Sequence, residues 1–139
     1  MTPEQITLVQ DSFAKVVPIK EAAGEMFYGR LFELDPSLRK LFPEDLTAQI
    51  DSLMTMIATA VNGLRRLEDI VPAVEDMGRR HVGYGVSDAH YATVGEALLW
   101  TLEKGLGDDF TPEVSEAWAT CYGILAGTMM AASKAAAAE

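Results

Sequence analysis

Apolar residues recur along this chain at intervals of three and four, the spacing that marks one face of an α-helix. The clearest run ends at His81, which Leu67, Ile70, Val74 and Met77 precede at steps of three, four, three and four. Charged residues fill positions between them, so the polar and apolar faces are distinct. The pattern predicts an amphipathic helix with His81 on its apolar side.

The His81 side chain has two interpretations. A neutral imidazole on the apolar side of a helix is a good nitrogen ligand for a metal ion. The same position also suits a core histidine whose polar atoms are satisfied by hydrogen bonds, and this second interpretation is the commoner one. The helix alone therefore does not assign a metal to His81.

The remaining periodic segments also predict helices. Thr2-Pro3-Glu4-Gln5 combines a capping residue, a first-turn proline and a glutamine three residues after the cap, which is a strong helix start. Similar start and stop residues bound the other segments. The predicted helices cover about residues 2–17, 19–34, 47–62, 67–84 and 88–106, with a short helical turn over 35–42 and a last helix that starts near 111.

Length, composition and charge narrow the class of protein. The 139 residues suit one all-α domain of six or seven helices spanning residues 1–139, with an alanine-rich tail, about 134–139, that we expect to fray. The formal net charge is −10 and basic residues occur singly or in short pairs, so nucleic acid and anionic membranes are poor partners. We find neither a membrane-spanning apolar stretch nor a signal segment, and we therefore expect a cytoplasmic protein.

The sequence gives little support to several kinds of active site. Neither histidine belongs to a recognisable nucleophile motif, and no glycine-rich phosphate loop follows a strand. A dicarboxylate metal site in a helical bundle needs a Glu-x-x-His pair, but Gly78 and Ser87 stand three residues before His81 and His90. A fourth possibility is a single axial histidine beneath a large planar cofactor such as haem, in an apolar cavity with a few polar groups on its open side. The apolar residues that could line such a cavity also fit an ordinary core, so they do not assign a cofactor by themselves.

A series of short motifs runs in order along the chain. The motifs are Phe27-Tyr28, Leu34-Asp35-Pro36, Leu41-Phe42, Gln49, Leu53, Pro72-Ala73-Val74 before His81, Val86, His90-Tyr91, Ala117-Trp118 and Tyr122-Gly123. Together they resemble the globin family, near its single-domain bacterial haemoglobins, flavohaemoglobins and neuroglobin-like proteins. The resemblance implies a globin fold of six to seven helices around a haem pocket, with haem b (iron protoporphyrin IX) as the cofactor.

The resemblance also implies a role for each site residue. His81 matches the proximal ligand of the haem iron, and Phe42 matches the aromatic residue that stacks on the haem. Tyr28 and Gln49 match the distal polar residues, and Leu53 matches the apolar distal wall. The cofactor-contacting residues of the proximal and rear walls would be Met77, Val86, Tyr91 and Val94.

The resemblance defines the roles of the other polar residues less closely. His90 follows the proximal segment, so we expect it at a helix start or on the surface. Ser133 stands where the flavohaemoglobin branch has a glutamate beside the proximal histidine, which weakens the expectation of a strongly basic imidazole at His81. The charges that either pair with haem propionates or remain solvated are Arg39, Lys40, Arg79 and Arg80.

The resemblance implies two possible functions. In the first, the protein reversibly binds O2, and also NO or CO, on ferrous haem. The Tyr28 hydroxyl and the Gln49 amide would donate hydrogen bonds to the ligand, so we expect tight O2 binding and slow release. In the second, the protein is a nitric oxide dioxygenase that depends on a separate reductase. No residue is assigned a separate catalytic role.

Overall fold

A computed structural model describes the backbone of residues 1–83 and 88–138 and the side chains of residues 1–79 and 89–132. Within these residues the chain forms α-helices and short 3₁₀ turns without any strand, which confirms the predicted all-α class. The six helices are α1 (Pro3–Val16), α2 (Lys20–Leu34), α3 (Thr47–Asn62), α4 (Leu67–Gly83), α5 (Asp88–Leu106) and α6 (Pro112–Ala138).

Side-chain caps begin the helices where the sequence predicted them. The Gln5 N–H donates to Thr2 Oγ1 at 3.1 Å, and the Thr2 N–H donates to Gln5 Oε1 at 3.0 Å, which completes the capping box of α1. Asp45 accepts hydrogen bonds from the Thr47 N–H at 3.0 Å and from its hydroxyl at 2.7 Å. These bonds satisfy donors that a helix start leaves without backbone partners.

Helix breaks follow the local backbone chemistry. Pro18 lies in a 3₁₀ turn, Val17–Ile19, that separates α1 from α2. Gly107 has φ +56°, a conformation that glycine adopts without steric penalty, and it starts the turn after α5. Helix α6 is continuous to Ala138, so it includes most of the tail that the alanine run predicted to fray.

The first core lies where α1 packs against α6 and α3. The residues of α1 predicted to face inward, Ile6, Val9, Phe13 and Val16, are all buried. Trp118 of α6 is also buried, and its Nε1–H donates to Ser12 Oγ at 2.8 Å. The Ser12 hydroxyl in turn donates to the Val9 carbonyl at 3.0 Å, so the two polar groups of this core satisfy each other.

Two further helix pairs enclose the centre of the molecule. Helix α2 packs against α5, and α4 packs against α6. Helices α4 and α6 approach closely at Gly78, where an added Cβ would lie 2.3 Å from the Met129 carbonyl oxygen. Only a residue without a side chain lets the two backbones approach this closely. Between these pairs and α3 the structure leaves a large cavity.

Among the described helices, we find none that is both long and apolar enough to span a lipid bilayer.

Candidate functional site

The cavity has a volume of about 830 Å³, within the range of roughly 300–1,000 Å³ typical of sites for cofactors and other small molecules. Its walls come from all helices except α1 and from the corner between α2 and α3. The exposed residues Asp51, Ser52 and Thr55 of α3 also line it, so the cavity reaches the surface along that helix. Seven residues predicted for the site line this cavity: Tyr28, Phe42, Gln49, Leu53, Met77, Tyr91 and Val94.

A close helix crossing brings Tyr28 and Gln49 to the same wall. Gly24 of α2 lies against Ile50 of α3, where an added Cβ would be 2.3 Å from Ile50 Cγ2. Tyr28 lies one helical turn after Gly24, and Gln49 lies immediately before Ile50. The crossing therefore places the phenol and the amide next to each other in the cavity wall.

The Tyr28 hydroxyl is held in its protonated form. The residue is 3% exposed, and burial raises the pKa of its phenol, while a hydrogen bond with the Gln49 side chain acts in the opposite direction. Because the raised pKa lies above 10, the group is an O–H donor at neutral pH. The wall formed by α2 and α3 thus has two neighbouring polar side chains on an otherwise apolar surface.

Phe42 belongs to an aromatic cluster that also contains Tyr28. The two rings meet edge to face with 5.4 Å between their centroids. Phe32 contacts both, at 6.0 Å from Tyr28 and 5.7 Å from Phe42. Edge-to-face contacts of this kind favour one relative orientation of the rings. The corner residue and the buried phenol are therefore positioned together. Leu53, one turn after Gln49, continues the same wall.

The other side of the cavity is formed by α4, α5 and α6. Val74 and Met77 line it from α4, whereas Leu67 packs on the first core. Tyr91 and Val94 line it from α5. As far as side chains are described, the later part of the apolar stripe that leads toward His81 faces the cavity.

A hydrogen bond between helices supports this wall. The Tyr122 hydroxyl of α6 donates to the Tyr91 carbonyl of α5 at 2.5 Å. Burial, together with the nearby Tyr91 phenol, raises the pKa of Tyr122, so the hydroxyl keeps the proton that it donates. The bond ties α6 to the start of α5 beside the cavity.

Three predictions concern residues outside the described side chains. The backbone of His81 belongs to α4, but its side chain lies outside the described residues, and so do Val86 and the side chain of Ser133. The role of His81 as an iron ligand stays a prediction. Arg80 also lies outside the described side chains.

His90 has a more central place than the sequence indicated. It is the third residue of α5, as expected for a helix-start position, but it is half-buried and also lines the cavity. The position of His90 next to Tyr91 could have indicated that His90 lies near the cavity, because Tyr91 was already predicted to contact the cofactor.

Most cavity-lining residues that sequence reasoning did not assign to the site come from α3 and α6. Trp118 and Cys121 line the cavity and are almost fully buried. Their apolar helical spacing was visible in the sequence, but it predicts burial without saying which space the side chains border.

Arg39, one of the basic residues whose role the sequence left open, makes hydrogen bonds within the chain. Its guanidinium donates hydrogen bonds to the carbonyl oxygens of Phe42 at 3.2 Å, Pro43 at 2.9 Å and Glu44 at 3.0 Å. It also lies over the Phe32 ring, 5.3 Å from the centroid. The half-buried arginine thus donates hydrogen bonds to the chain itself, and its pairing with a haem propionate stays a prediction.

Comparison with known proteins identifies the family. The globin family model matches residues 25–129, which is most of the chain and includes every described element that lines the cavity. This chain is a globin. Family membership confirms the resemblance seen in the sequence and the predicted globin fold, and it implies a haem-binding cavity.

The relatives and structural neighbours agree with this assignment. The globin is 33% identical over 136 residues to a neuroglobin of Danio rerio, covering 86% of that protein. It is 30% identical over 125 residues to a flavohemoprotein of Bacillus subtilis, but spans only 31% of that protein's length.

Two solved structures have the same fold. A bacterial globin of Campylobacter jejuni superposes with a TM-score of 0.83 at 25% identity, over 99% of this chain and 100% of the other. An engineered carbene transferase from Rhodothermus marinus, also called a putative nitric oxide dioxygenase, gives a TM-score of 0.89 at 25% identity, over 99% of this chain and 96% of the other.

The cavity fits the haem that the family implies. Its volume of about 830 Å³ and its mainly apolar lining suit a large planar apolar group. A protonated phenol and an amide side chain lie in one wall. Ligand-binding sites need a few hydrogen-bond donors at defined positions, and these two groups can supply them. The helix that includes His81 forms part of the other side.

Proposed function

We propose that this globin holds haem b through His81 and reversibly binds O2, NO or CO, with tight O2 binding and slow O2 release. When bound, haem supplies a ferrous iron that accepts a diatomic molecule as its sixth ligand. Phe42, Met77, Tyr91 and Val94 would contact the cofactor, with Val86 as a further predicted contact. Leu53 would keep the ligand side apolar and exclude water.

The observation that carries this proposal is the pairing of Tyr28 with Gln49 in the cavity wall. The phenol keeps its proton at neutral pH because burial raises its pKa. Its O–H and the Gln49 amide N–H can both donate to a ligand that gains partial negative charge on binding. Both donors already lie in an apolar cavity, so they can donate to a bound ligand without first giving up hydrogen bonds to water.

Reconstitution of the purified protein with haemin tests the proposal. We expect one haem per chain, a Soret band, and an O2 complex after reduction that dissociates slowly on mixing with excess CO. The His81→Ala variant should lose the iron–imidazole stretching band seen in the reduced wild-type protein. A wild-type protein without a Soret band after reconstitution would contradict the proposal.

A second candidate function is nitric oxide dioxygenation, in which NO, O2 and one electron give nitrate. It is supported by the fold shared with the Rhodothermus marinus protein, which is called a putative nitric oxide dioxygenase, and by the flavohemoprotein relatives. The Tyr28–Gln49 pair serves this function too, because tight O2 binding keeps O2 available for NO. A separate reductase would supply the electron.

Stopped-flow mixing of the O2 complex with NO separates the two functions. Rapid oxidation to the ferric form, followed by repeated NO consumption when NADH and cell extract are added, would favour the dioxygenase. A single round of oxidation without sustained NO consumption would favour ligand binding alone. A single globin domain over residues 1–139 and a cytoplasmic location are part of the same proposal, and fractionation of cell extracts tests the location.

A further inference from the structure

Arg39 fixes the corner between α2 and α3. Residues 42–46 lie between the 3₁₀ turn Pro36–Leu41 and α3 and belong to neither element. The carbonyl oxygens of Phe42, Pro43 and Glu44 instead accept hydrogen bonds from the Arg39 guanidinium, at 3.2, 2.9 and 3.0 Å. The Phe42 N–H also donates to the Arg39 carbonyl at 3.2 Å. One side chain thus holds three consecutive residues of an irregular segment.

The same guanidinium is connected to the buried phenol through ring contacts. It covers the Phe32 ring at 5.3 Å, and Phe32 contacts both Tyr28 and Phe42 in the aromatic cluster. Tyr28 and Phe42 also contact each other directly, at 5.4 Å. A displacement of the corner would therefore move the Phe42 ring, and with it the surface against which the Tyr28 ring packs.

We propose that Arg39 is a positioning residue of this globin, which holds Phe42 over the cavity and thereby sets the position of the Tyr28 hydroxyl toward a bound diatomic ligand. The inference rests on the proposed function, because it assigns Arg39 an effect on the haem-bound ligand. Arg39 itself does not need to touch the ligand or the haem.

The geometry requires arginine rather than any cation. A guanidinium has five N–H donors in a rigid plane, so it can donate to several carbonyls while its face lies on an aromatic ring. A lysine ammonium has fewer donors, concentrated on one atom, and cannot span the same carbonyl groups from the same position. Arg39→Lys should therefore fail to replace arginine even though it keeps the charge.

Arg30 is a matched control for the aromatic contact. It lies over the Trp100 ring at 5.3 Å, the same distance as Arg39 from Phe32, and it pairs with Glu33 at 3.2 Å. The Arg30 guanidinium donates to the Glu33 carboxylate on its own helix rather than to the corner. Replacing Arg30 removes an arginine–ring contact without removing the bonds that hold Phe42.

The test compares Arg39→Met, Arg39→Lys and Arg30→Met in the haem-reconstituted protein. For Arg39→Met we expect O2 dissociation to accelerate about two- to tenfold, the factor that corresponds to weakening one hydrogen bond to the ligand. The C–O stretching band of the CO complex should shift toward the position found in Tyr28→Phe. Arg39→Lys should change both quantities in the same direction, and Arg30→Met should leave both at their wild-type values.

The outcomes separate this inference from the proposed function. If the wild-type protein binds haem and O2 but both Arg39 variants keep the wild-type C–O band and O2 dissociation rate, the inference is overturned and the proposed function stands. A loss of unfolding free energy in both Arg39 variants without a spectral shift also overturns it, because that result indicates a structural role only. If the wild-type protein takes up no haem, the proposed function itself fails.

Discussion

Tyr28 combines two properties that are difficult to obtain together, a buried position and a polar atom that faces a cavity. Its ring is packed against Phe42 and Phe32, while its hydroxyl lies next to Gln49. Burial excludes water from competing for the O–H, and the raised pKa keeps the proton in place. At the scale of single residues, the proposed function assigns ligand retention to this one hydroxyl and to the amide beside it.

Tyr28→Phe should accelerate O2 dissociation by roughly 10- to 100-fold, because a hydrogen bond to a partly charged ligand in a buried site contributes about 1–3 kcal/mol. The rate is measured by displacement with CO. Gln49→Leu should give a smaller acceleration. Because the two side chains interact, the double variant should differ from the sum of the single effects. An unchanged rate in Tyr28→Phe would mean that its hydroxyl does not contact the ligand.

Two close helix crossings determine the shape of the cavity at the scale of elements. At one, Gly24 of α2 lies against Ile50 of α3, and at the other Gly78 of α4 lies against the backbone of Met129 in α6. The first crossing brings Tyr28 and Gln49 together. The second fixes the helix that includes His81. In both places a methyl group would force the helices apart.

Gly24→Ala should destabilise the fold by about 1–3 kcal/mol and accelerate O2 dissociation, because the added methyl group separates α2 from α3. Urea unfolding and CO displacement measure the two effects. Ile50→Ala removes the Cγ2 atom that the new methyl group meets at 2.3 Å. The double variant should therefore lose less stability than the two single losses added together. Simple additivity would contradict the proposed clash.

Gly78→Ala should cost about 1–3 kcal/mol of unfolding free energy, because its Cβ would collide with a backbone carbonyl rather than with a movable side chain. Gly127 of α6 is the matched control, since nothing lies within 4 Å of the Cβ that it would gain. Gly127→Ala should raise stability by about 0.4–1 kcal/mol. Equal effects of the two substitutions in urea unfolding would refute the close approach at Gly78.

The hydrogen-bonded Asp45 at the start of α3 should make the free energy of unfolding depend on pH. Hydrogen bonds from the Thr47 N–H and hydroxyl hold the pKa of Asp45 below its ordinary value of 3.8. Because the folded-state pKa is the lower one, the stabilisation is present above about pH 4 and is lost as pH falls through the folded pKa. The stability difference between wild type and Asp45→Ala in urea should therefore be larger at pH 7 than at pH 2.5. The same difference at both pH values would contradict the cap.

At the scale of the whole molecule, patterns that are local in sequence predicted most of the fold. Capping residues and apolar spacing located the helices, and the order of short motifs indicated the globin family and the residues that line the cavity. Contacts between distant segments could not be read in this way. The hydrogen bond from Trp118 to Ser12, which joins residues 106 positions apart, has no signature in spacing, because it depends on how the helices pack against each other.

The single cysteine of this globin offers a way to observe the molecule opening. Cys121 is 1% exposed in the cavity wall, and burial raises the pKa of its thiol to about 11. Since the thiolate is the reactive form, a maleimide should label the folded protein only during transient openings. Labelling followed by mass spectrometry should be slower with haem than without it. Labelling as fast as that of a free thiol would contradict the buried position. The labelling rate of this one sulfur atom thus measures how often the haem pocket opens.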